Sequence, residues 1–189
     1  MRLFVCTYLS AETQTAFRHL CAPLIGRDRR LLRPVPADSL HITYVFFAEV
    51  AEERCPEIGA VTARVAERQA TFDIRFGPPA ILYGGGDARL VMAPVAEGAQ
   101  ELARLASALA TALRTAVQIP AFKQTEHFHV TLARFRKGTT RSAATVIADA
   151  LQSSSLPRRE PITHLQVVAS QLTARGPLYT TLETIGLGT

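Results

Sequence analysis

A fold of mixed helices and strands, built from two similar halves, is predicted by three features of the sequence. Short apolar runs with strand-like alternation are separated by amphipathic segments with helical spacing. The tripeptide His-x-Thr opens two of the strand-like runs, at His41 and again at His129. The elements around the second tripeptide repeat those around the first at nearly the same offset, which indicates an internal duplication.

The first half is predicted to contain a strand, a helix, a second strand and a second helix. We place these elements at residues 3–9, about 11–25, 41–47 and about 56–65. Ser10 is a suitable N-cap for the first helix, because its hydroxyl accepts a hydrogen bond from a backbone N–H of the first turn. Pro56 fits the first turn of the second helix, where no backbone N–H is needed.

The second half is predicted to repeat this order after a pair of short strands. The paired strands lie at 72–76 and 81–83, and the repeat places a strand at 89–95, a helix over 102–113, a strand at 129–135 and a helix at 144–151. Between Tyr83 and Arg89 stands a run of three glycines. Neither a helix nor a Gly-Lys-Ser/Thr sequence follows it, so we interpret the run as a hairpin turn and not as a phosphate loop.

The offset between the two tripeptides relates several elements at once. His129 lies 88 positions after His41. Moved by that offset, the first helix falls on residues 99–113, where leucines recur with helical spacing, and the first strand falls on 91–95. We therefore expect two pseudo-symmetric lobes within a single domain over residues 1–189.

Size and composition exclude several classes of protein. The chain has 189 residues, of which 48% are hydrophobic and 20% are charged, as expected for a globular protein with one sizeable core or two small lobes. No apolar run approaches the roughly 20 residues of a membrane span, and the opening run suits a first strand better than a signal peptide. Cys6, Cys21 and Cys55 lack metal-ligand spacing and form an odd set, which favours a reducing cytoplasm.

The positive charge of the chain is carried almost entirely by arginine. The net charge is +5, and Lys123 and Lys137 are the only lysines. The arginine fork matches phosphate oxygens, so the excess is compatible with a nucleic-acid substrate, although a solvated surface explains it equally well. The arginine cluster at residues 27–33 is accordingly either a groove wall or a polar loop.

The repeated tripeptide indicates acid/base chemistry on a phosphodiester. Alternate side chains of a strand share a face, so His41 lies beside Thr43, and His129 beside Thr131. If the lobes pack about a pseudo-two-fold axis, these faces line one cleft from opposite sides. An imidazole with a pKa near 6.5 serves as base or acid at neutral pH, and a threonine hydroxyl donates to a phosphate oxygen. Such a reaction requires no metal and no cofactor.

The residues around both tripeptides resemble the paired motifs of a known family. His41-Ile42-Thr43-Tyr44 and the run from His129 to Arg134 resemble the HxTx motifs of the two-histidine phosphoesterases. The closest resemblance is to the bacterial and archaeal RNA 2′,3′-cyclic phosphodiesterases, also called 2′-5′ RNA ligases. Further positions along nearly the whole chain match the family: Met1 to Val5, Val35, Pro36, Leu40, Phe46, Ser170, Leu172, Gly176, Pro177 and Tyr179.

The resemblance implies a fold and a set of roles. The fold would be α+β and bilobal, with a mainly antiparallel sheet and flanking helices in each lobe and the active-site groove between the lobes. His129 would activate water, His41 would protonate the departing 3′ oxygen, and Thr43 and Thr131 would bind the phosphate. The substrate would be RNA with a 2′,3′-cyclic phosphate end, or a cyclic nucleotide, and the product a 2′-phosphomonoester. We expect a monomer without an obligate protein partner.

Two further residues receive roles from the resemblance, and three positions depart from the pattern. Arg134 matches an arginine that contacts the phosphate, whereas Phe46 either stacks on a base or belongs to the core.

The family commonly has a proline where Phe128 stands, an aliphatic residue at Tyr44, and a tryptophan near the glycine run. These departures concern substrate preference and leave the reacting groups intact.

Three alternative functions share parts of this pattern. The same site would serve a 2′-5′ RNA ligase or a phosphodiesterase for 2′-5′ oligonucleotides. An RNA-binding module would recognise cyclic-phosphate ends without turnover. A metal hydrolase would use His127, His129 and His164 as three imidazole ligands for zinc, but the paired threonines would then have no purpose.

Overall fold

The computed structural model describes residues 1–27, 29–116, 121–151, 159–174 and 176–188. The serine run at 153–155, which its composition places in a loop, lies outside these ranges. The helices and strands, in chain order, are β1 Arg2–Tyr8, α1 Ala11–Arg27, β2 Leu32–Pro34, β3 His41–Phe47, α2 Cys55–Ala66, β4 Phe72–Phe76, β5 Ala80–Gly84, β6 Asp87–Glu97, α3 Ala99–Ala116, β7 Phe122–Gln124, β8 His129–Phe135, α4 Arg141–Leu151, β9 Glu160–Ile162, β10 His164–Thr173 and β11 Gly176–Gly186.

Two antiparallel sheets form the two lobes, and the helices pack against them. The first sheet has the strand order β11-β10-β1-β3-β7, and the second has the order β2-β8-β6-β4-β9 with β5 paired to β6. The predicted α+β fold with a mainly antiparallel sheet and flanking helices in each lobe is confirmed. Strands β3 and β8, which carry the two His-x-Thr tripeptides, begin and end at the predicted residues.

The predicted pairing between the strands at 72–76 and 81–83 is wrong. Both strands are present as β4 and β5, but each pairs with β6, and Gly77 N donates to the carbonyl of Pro94 on the same strand at 2.7 Å. Pro78 and Pro79 stand between β4 and β5. Two prolines have fixed φ angles and no N–H to close a tight turn, so the chain continues along β6 instead of folding back.

Each lobe receives its edge strand from the other half of the chain. β2 precedes the first tripeptide yet pairs with β8, whereas β7 precedes the second tripeptide yet pairs with β3. Two backbone bonds extend these crossings, from Val35 N to the carbonyl of Leu132 at 2.9 Å and from Thr125 N to that of Tyr44 at 2.8 Å. This exchange joins the sheets along the sides of the cleft that holds the tripeptides.

A continuous hydrophobic cluster includes residues of both sheets and of the helices. The four leucines on one face of α3, Leu102, Leu105, Leu109 and Leu113, are fully buried, as their spacing predicts. Burial of each side chain contributes about 2 kcal/mol. Helix α3 contacts β3, β6 and α2. It therefore connects β3, the strand of the first tripeptide, with β6 of the second half.

Within the described residues, none of the helices has the length and apolar character that a membrane crossing needs. Cys6, Cys21 and Cys55 are free thiols, and the first two are buried in the core.

Candidate active site

All six site residues predicted from the sequence line one cavity between the lobes. It has a volume of about 450 Å³. Its lining includes both tripeptide faces together with one residue further along each strand: His41, Thr43, Phe46, His129, Thr131 and Arg134. The paired histidines and threonines therefore face one space from opposite lobes.

A β-bulge in β3 turns Phe46 toward this cavity. Strict alternation would put Phe46 on the face opposite His41 and Thr43, because an odd number of positions separates them. The neighbouring strand β1 pairs Val5 with Val45 and the next residue with Thr43, so Tyr44 is an extra residue without a partner in the ladder. The bulge shifts the alternation by one residue, and Phe46 rejoins the cavity face.

The same irregularity recurs in β8 and turns Arg134 toward the cavity. Strand β6 pairs Val91 with Ala133 and Met92 with Thr131, which leaves Leu132 as the extra residue. Arg134 is thereby the counterpart of Phe46 under the 88-residue offset. Both strands therefore carry the same bulge. The side chains that the two bulges turn toward the cavity differ, because Phe46 is aromatic and Arg134 is charged.

Both imidazole rings are held in the same way by a carbonyl two residues earlier. His41 Nδ1 lies 2.7 Å from the carbonyl oxygen of Ser39, and His129 Nδ1 lies 3.0 Å from that of His127. A carbonyl oxygen only accepts hydrogen bonds, so we assign a proton to Nδ1 in each ring. This leaves both Nε2 atoms free to exchange protons with a molecule in the cavity.

The surroundings of the two rings differ. Phe4 stacks on His41 with a centroid distance of 4.9 Å, and Tyr179 and Tyr8 meet it edge-on at 5.5 and 5.8 Å. Burial lowers the pKa of His41 below 6.5; the bond to the Ser39 carbonyl opposes this shift, and the charges of Arg134 and His129 add to it. Burial also raises the pKa of Tyr8 to about 12, which keeps this neighbour uncharged.

Arg33 lines the cavity beside Arg134. It was not among the site residues predicted from the sequence. The two residues lie directly opposite each other on β2 and β8. The sequence left two interpretations open for the arginine cluster at 27–33, a groove wall or a polar loop. Arg33 contributes to a groove wall. The Arg27 side chain lies outside the described part of the structure. The strand β2 is too short to give a periodic signal from which its facing residues could be predicted.

A second cavity of about 410 Å³ adjoins the first. The two share part of their lining, including Phe46, Arg134 and Tyr179. The guanidinium of Arg2 lies 5.3 Å from the centre of the Phe46 ring. Phe46 is a half-buried ring that lines both cavities and also packs against the small buried cluster of Phe4, Cys6 and Val168, so both roles considered for it stay open.

Two of the three departures from the family pattern contact each other. The rings of Tyr44 and Phe128 lie 6.3 Å apart, beneath the histidines at the junction of the lobes. The Tyr44 hydroxyl also lies 2.9 Å from Thr7 Oγ1. The third departure, the glycine run, forms the predicted turn between β5 and β6, where Gly85 and Gly86 have φ angles of +61° and +88° that favour glycine.

The three histidines of the zinc alternative do not come together. His129 lines the first cavity, His127 is exposed and lines neither cavity, and His164 Nδ1 lies 2.7 Å from Thr163 Oγ1. No group of three or more His, Cys, Asp or Glu residues suited to a metal ion occurs among the described residues.

Comparisons with known proteins agree with this fold. A family model described as the 2′-5′ RNA ligase superfamily matches residues 10–173. An RNA 2′,3′-cyclic phosphodiesterase of Thermus thermophilus is 30% identical over 193 residues, which cover 99% of this chain and 90% of that protein.

Solved structures show the same architecture. The crystal structure of TT0787 of Thermus thermophilus superposes with a TM-score of 0.77 at 30% identity, covering 99% of this chain and 98% of that one. The structure of E. coli LigT complexed with phosphate has a TM-score of 0.69 at 24% identity, covering 100% and 98%. Together with the family match, these relations show that the chain belongs to the 2′-5′ RNA ligase superfamily and is a two-histidine phosphoesterase.

Proposed function

We propose that this cyclic phosphodiesterase hydrolyses 2′,3′-cyclic phosphate ends of RNA to 2′-phosphomonoesters, without a metal or another cofactor. The observation that carries the proposal is the matched pair of imidazoles, each held through Nδ1 by a carbonyl two residues earlier and each lining the same cavity. The substrate is suggested by the Thermus thermophilus relative, which is named as an RNA 2′,3′-cyclic phosphodiesterase.

In the proposed reaction, His129 acts as the base and His41 as the acid. His129 Nε2 takes a proton from water while the water oxygen attacks phosphorus, and the bond between phosphorus and the 3′ oxygen breaks. The protonated Nε2 of His41 gives its proton to that oxygen, so the products are a 2′-phosphomonoester and a 3′-hydroxyl. Burial lowers the pKa of His41, which makes its imidazolium a stronger proton donor and also leaves less of it protonated at neutral pH, so the assignment of acid and base rests on the family resemblance.

Three other groups stabilise the charge that develops on the phosphate. Thr43 and Thr131 would donate their hydroxyls to the non-bridging oxygens from opposite lobes. Arg134 would place a permanent positive charge beside the same oxygens. Phe46, its counterpart in the other half, would contact the nucleoside.

A chelator assay on an RNA oligonucleotide with a 2′,3′-cyclic phosphate end tests the proposal. We expect the 2′-phosphate product in the presence of EDTA, and we expect its formation to fall about a thousandfold in His41→Ala and in His129→Ala. His164→Ala is the matched control, because this histidine lies outside both cavities. Unchanged turnover in both variants would refute the acid/base pair, and activity restored only by zinc would favour the metal hydrolase.

A 2′-5′ ligation is a second candidate, because the two imidazoles are held equivalently and the same proton transfers would serve it. In ligation a 5′-hydroxyl would replace water as the nucleophile that attacks the cyclic phosphate, and the bond between phosphorus and the 3′ oxygen would again break. A 2′-5′ oligonucleotide phosphodiesterase would use the same groups. Comparison of rates on cyclic-phosphate RNA, on 2′-5′ linked RNA and on a mixture of two RNA ends separates the three activities, whereas a purely binding module would convert none of them.

The remaining proposals concern the whole molecule. The hydrophobic cluster common to both sheets and the exchanged edge strands support one domain over residues 1–189, which should unfold in a single transition. The free thiols support the cytoplasm as the location. We also propose a monomer, for which light scattering of the purified protein is the test.

A further inference from the structure

The two adjoining cavities carry more positive charge than a cyclic phosphate requires. Arg134 and Arg2 both line the second cavity, and among the described residues no carboxylate lines either cavity. A 2′,3′-cyclic phosphodiester has a single negative charge. The surplus is what a site for more than one phosphate would present, since a cleft lined by cations attracts and concentrates anionic ligands.

Arg2 lies beyond Phe46 on the face of the first sheet that carries His41 and Thr43. Phe4 on β1 lies opposite Phe46 on β3, and Arg2 comes two residues before Phe4, on the side away from His41 and Thr43. All five residues line the second cavity, and the Arg2 guanidinium lies over the Phe46 ring. The order along this strand pair is therefore the histidine and threonine, then the aromatic ring, then a cation.

Ser170 adds a hydroxyl beside Arg2. The two residues lie directly opposite each other on β1 and β10, and both line the second cavity. Ser170 is only 8% exposed, yet its hydroxyl makes no hydrogen bond within the described part of the chain. A nearly buried hydroxyl next to a guanidinium is suited to an anion that accepts hydrogen bonds from both.

We propose that Arg2 and Ser170 form a second phosphate subsite, which binds the phosphodiester on the 5′ side of the terminal nucleotide. This inference rests on the proposed function and specifies its substrate class. In an RNA chain, that phosphodiester is one nucleoside away from the cyclic phosphate, so the nucleoside would span the wall formed by Phe46 and Tyr179. The subsite makes the enzyme prefer an RNA chain end over a mononucleoside cyclic phosphate.

The test compares two substrates that differ only in the second phosphate. One is cytidine 2′,3′-cyclic phosphate, and the other is the same nucleotide carrying a methyl phosphate diester on its 5′ oxygen. For the unaltered enzyme we expect a KM about tenfold lower on the second substrate, because a charge-assisted hydrogen bond contributes roughly this factor. Added salt should reduce the preference, as it does for phosphate contacts in general.

Variants assign the preference to the proposed residues. Arg2→Gln should abolish it and Ser170→Ala should reduce it severalfold, whereas Arg64→Gln, the same charge change on the outer face of α2, should retain it. Equal KM values for the two substrates in the unaltered enzyme, or a full preference in Arg2→Gln and Ser170→Ala, would overturn the subsite. If the unaltered enzyme does not convert an RNA oligonucleotide with a 2′,3′-cyclic phosphate end either, the proposed function itself fails, so the two failures are distinguishable.

Discussion

The two His-x-Thr sites have the same local geometry and different surroundings. Each imidazole is fixed by a carbonyl two residues earlier, and each strand carries a bulge after its threonine. His41, however, lies among three aromatic rings and its bond to the carbonyl is part-buried, whereas the corresponding bond of His129 is exposed. The two halves thus hold their imidazoles in the same local geometry but in different surroundings.

The largest effect should come from a substrate that needs only one of the two histidines. If the departing 3′ oxygen is replaced by sulfur, the leaving group no longer requires protonation, because a thiol has a far lower pKa than an alcohol. We expect this substrate to restore most of the roughly thousandfold loss in His41→Ala and little of the loss in His129→Ala. Rates of product formation on the oxygen and sulfur substrates give the measurement. Rescue of His129→Ala alone would exchange the two roles.

The counterparts Arg134 and Phe46 should differ in which kinetic constant they control. In the proposed reaction Arg134 stabilises charge that grows in the transition state, so Arg134→Gln should lower kcat by about a hundredfold. The proposal has Phe46 contact the nucleoside equally in both states, so Phe46→Leu should raise KM about fivefold and leave kcat nearly unchanged. Arg136→Gln, just beyond the end of β8 and outside both cavities, controls for the loss of a charge. A fall in kcat for both variants would remove the distinction between the two positions.

The pH dependence of kcat/KM should reveal the burial of His41. In the proposed reaction one imidazole must be protonated and the other neutral, so kcat/KM falls on both sides of a maximum. The two limbs report the lower and the higher pKa of the pair, whichever histidine is the acid. Because burial lowers the pKa of His41 from 6.5, we expect the limb that His41 sets to lie below pH 6.5. The residual activity of His41→Ala should lack this limb and keep the other, and a limb that persists in this variant would belong to another group.

Opening the aromatic surroundings should move this limb. Tyr179→Ala admits water to the His41 ring, so the pKa of His41 should rise and the limb that His41 sets should move upward by about half a pH unit. Tyr83→Ala is the control, because Tyr83 lies outside both cavities. A limb that stays in place in Tyr179→Ala would mean that Tyr179 does not contribute to the desolvation of His41.

The same comparison shows how far the sequence predicts the site. Strands β3 and β8 and the leucine face of α3 carry clear periodic patterns, and they were predicted closely. The bulges leave no such pattern, so strict alternation would put Phe46 and Arg134 on the wrong face; only the resemblance to a family selected them. The rings around His41 come from β1 and β11, which are distant in the chain, and the three-residue strands β2 and β7 are too short for any period to be visible.

The smallest expected effect is on stability. It concerns Tyr44, the bulge residue of β3, whose counterpart in β8 is Leu132. Thr7 Oγ1 donates to the carbonyl of His164 at 2.7 Å, so the Tyr44 hydroxyl must be the donor in its 2.9 Å bond to Thr7. Tyr44→Phe removes this buried bond and should lower the free energy of unfolding by about 1 kcal/mol, measured as a lower denaturation midpoint with an unchanged slope. Since the ring and its contact with Phe128 remain, kcat should be unaffected; a fall in kcat without a change in stability would connect this bond to the positioning of Thr43.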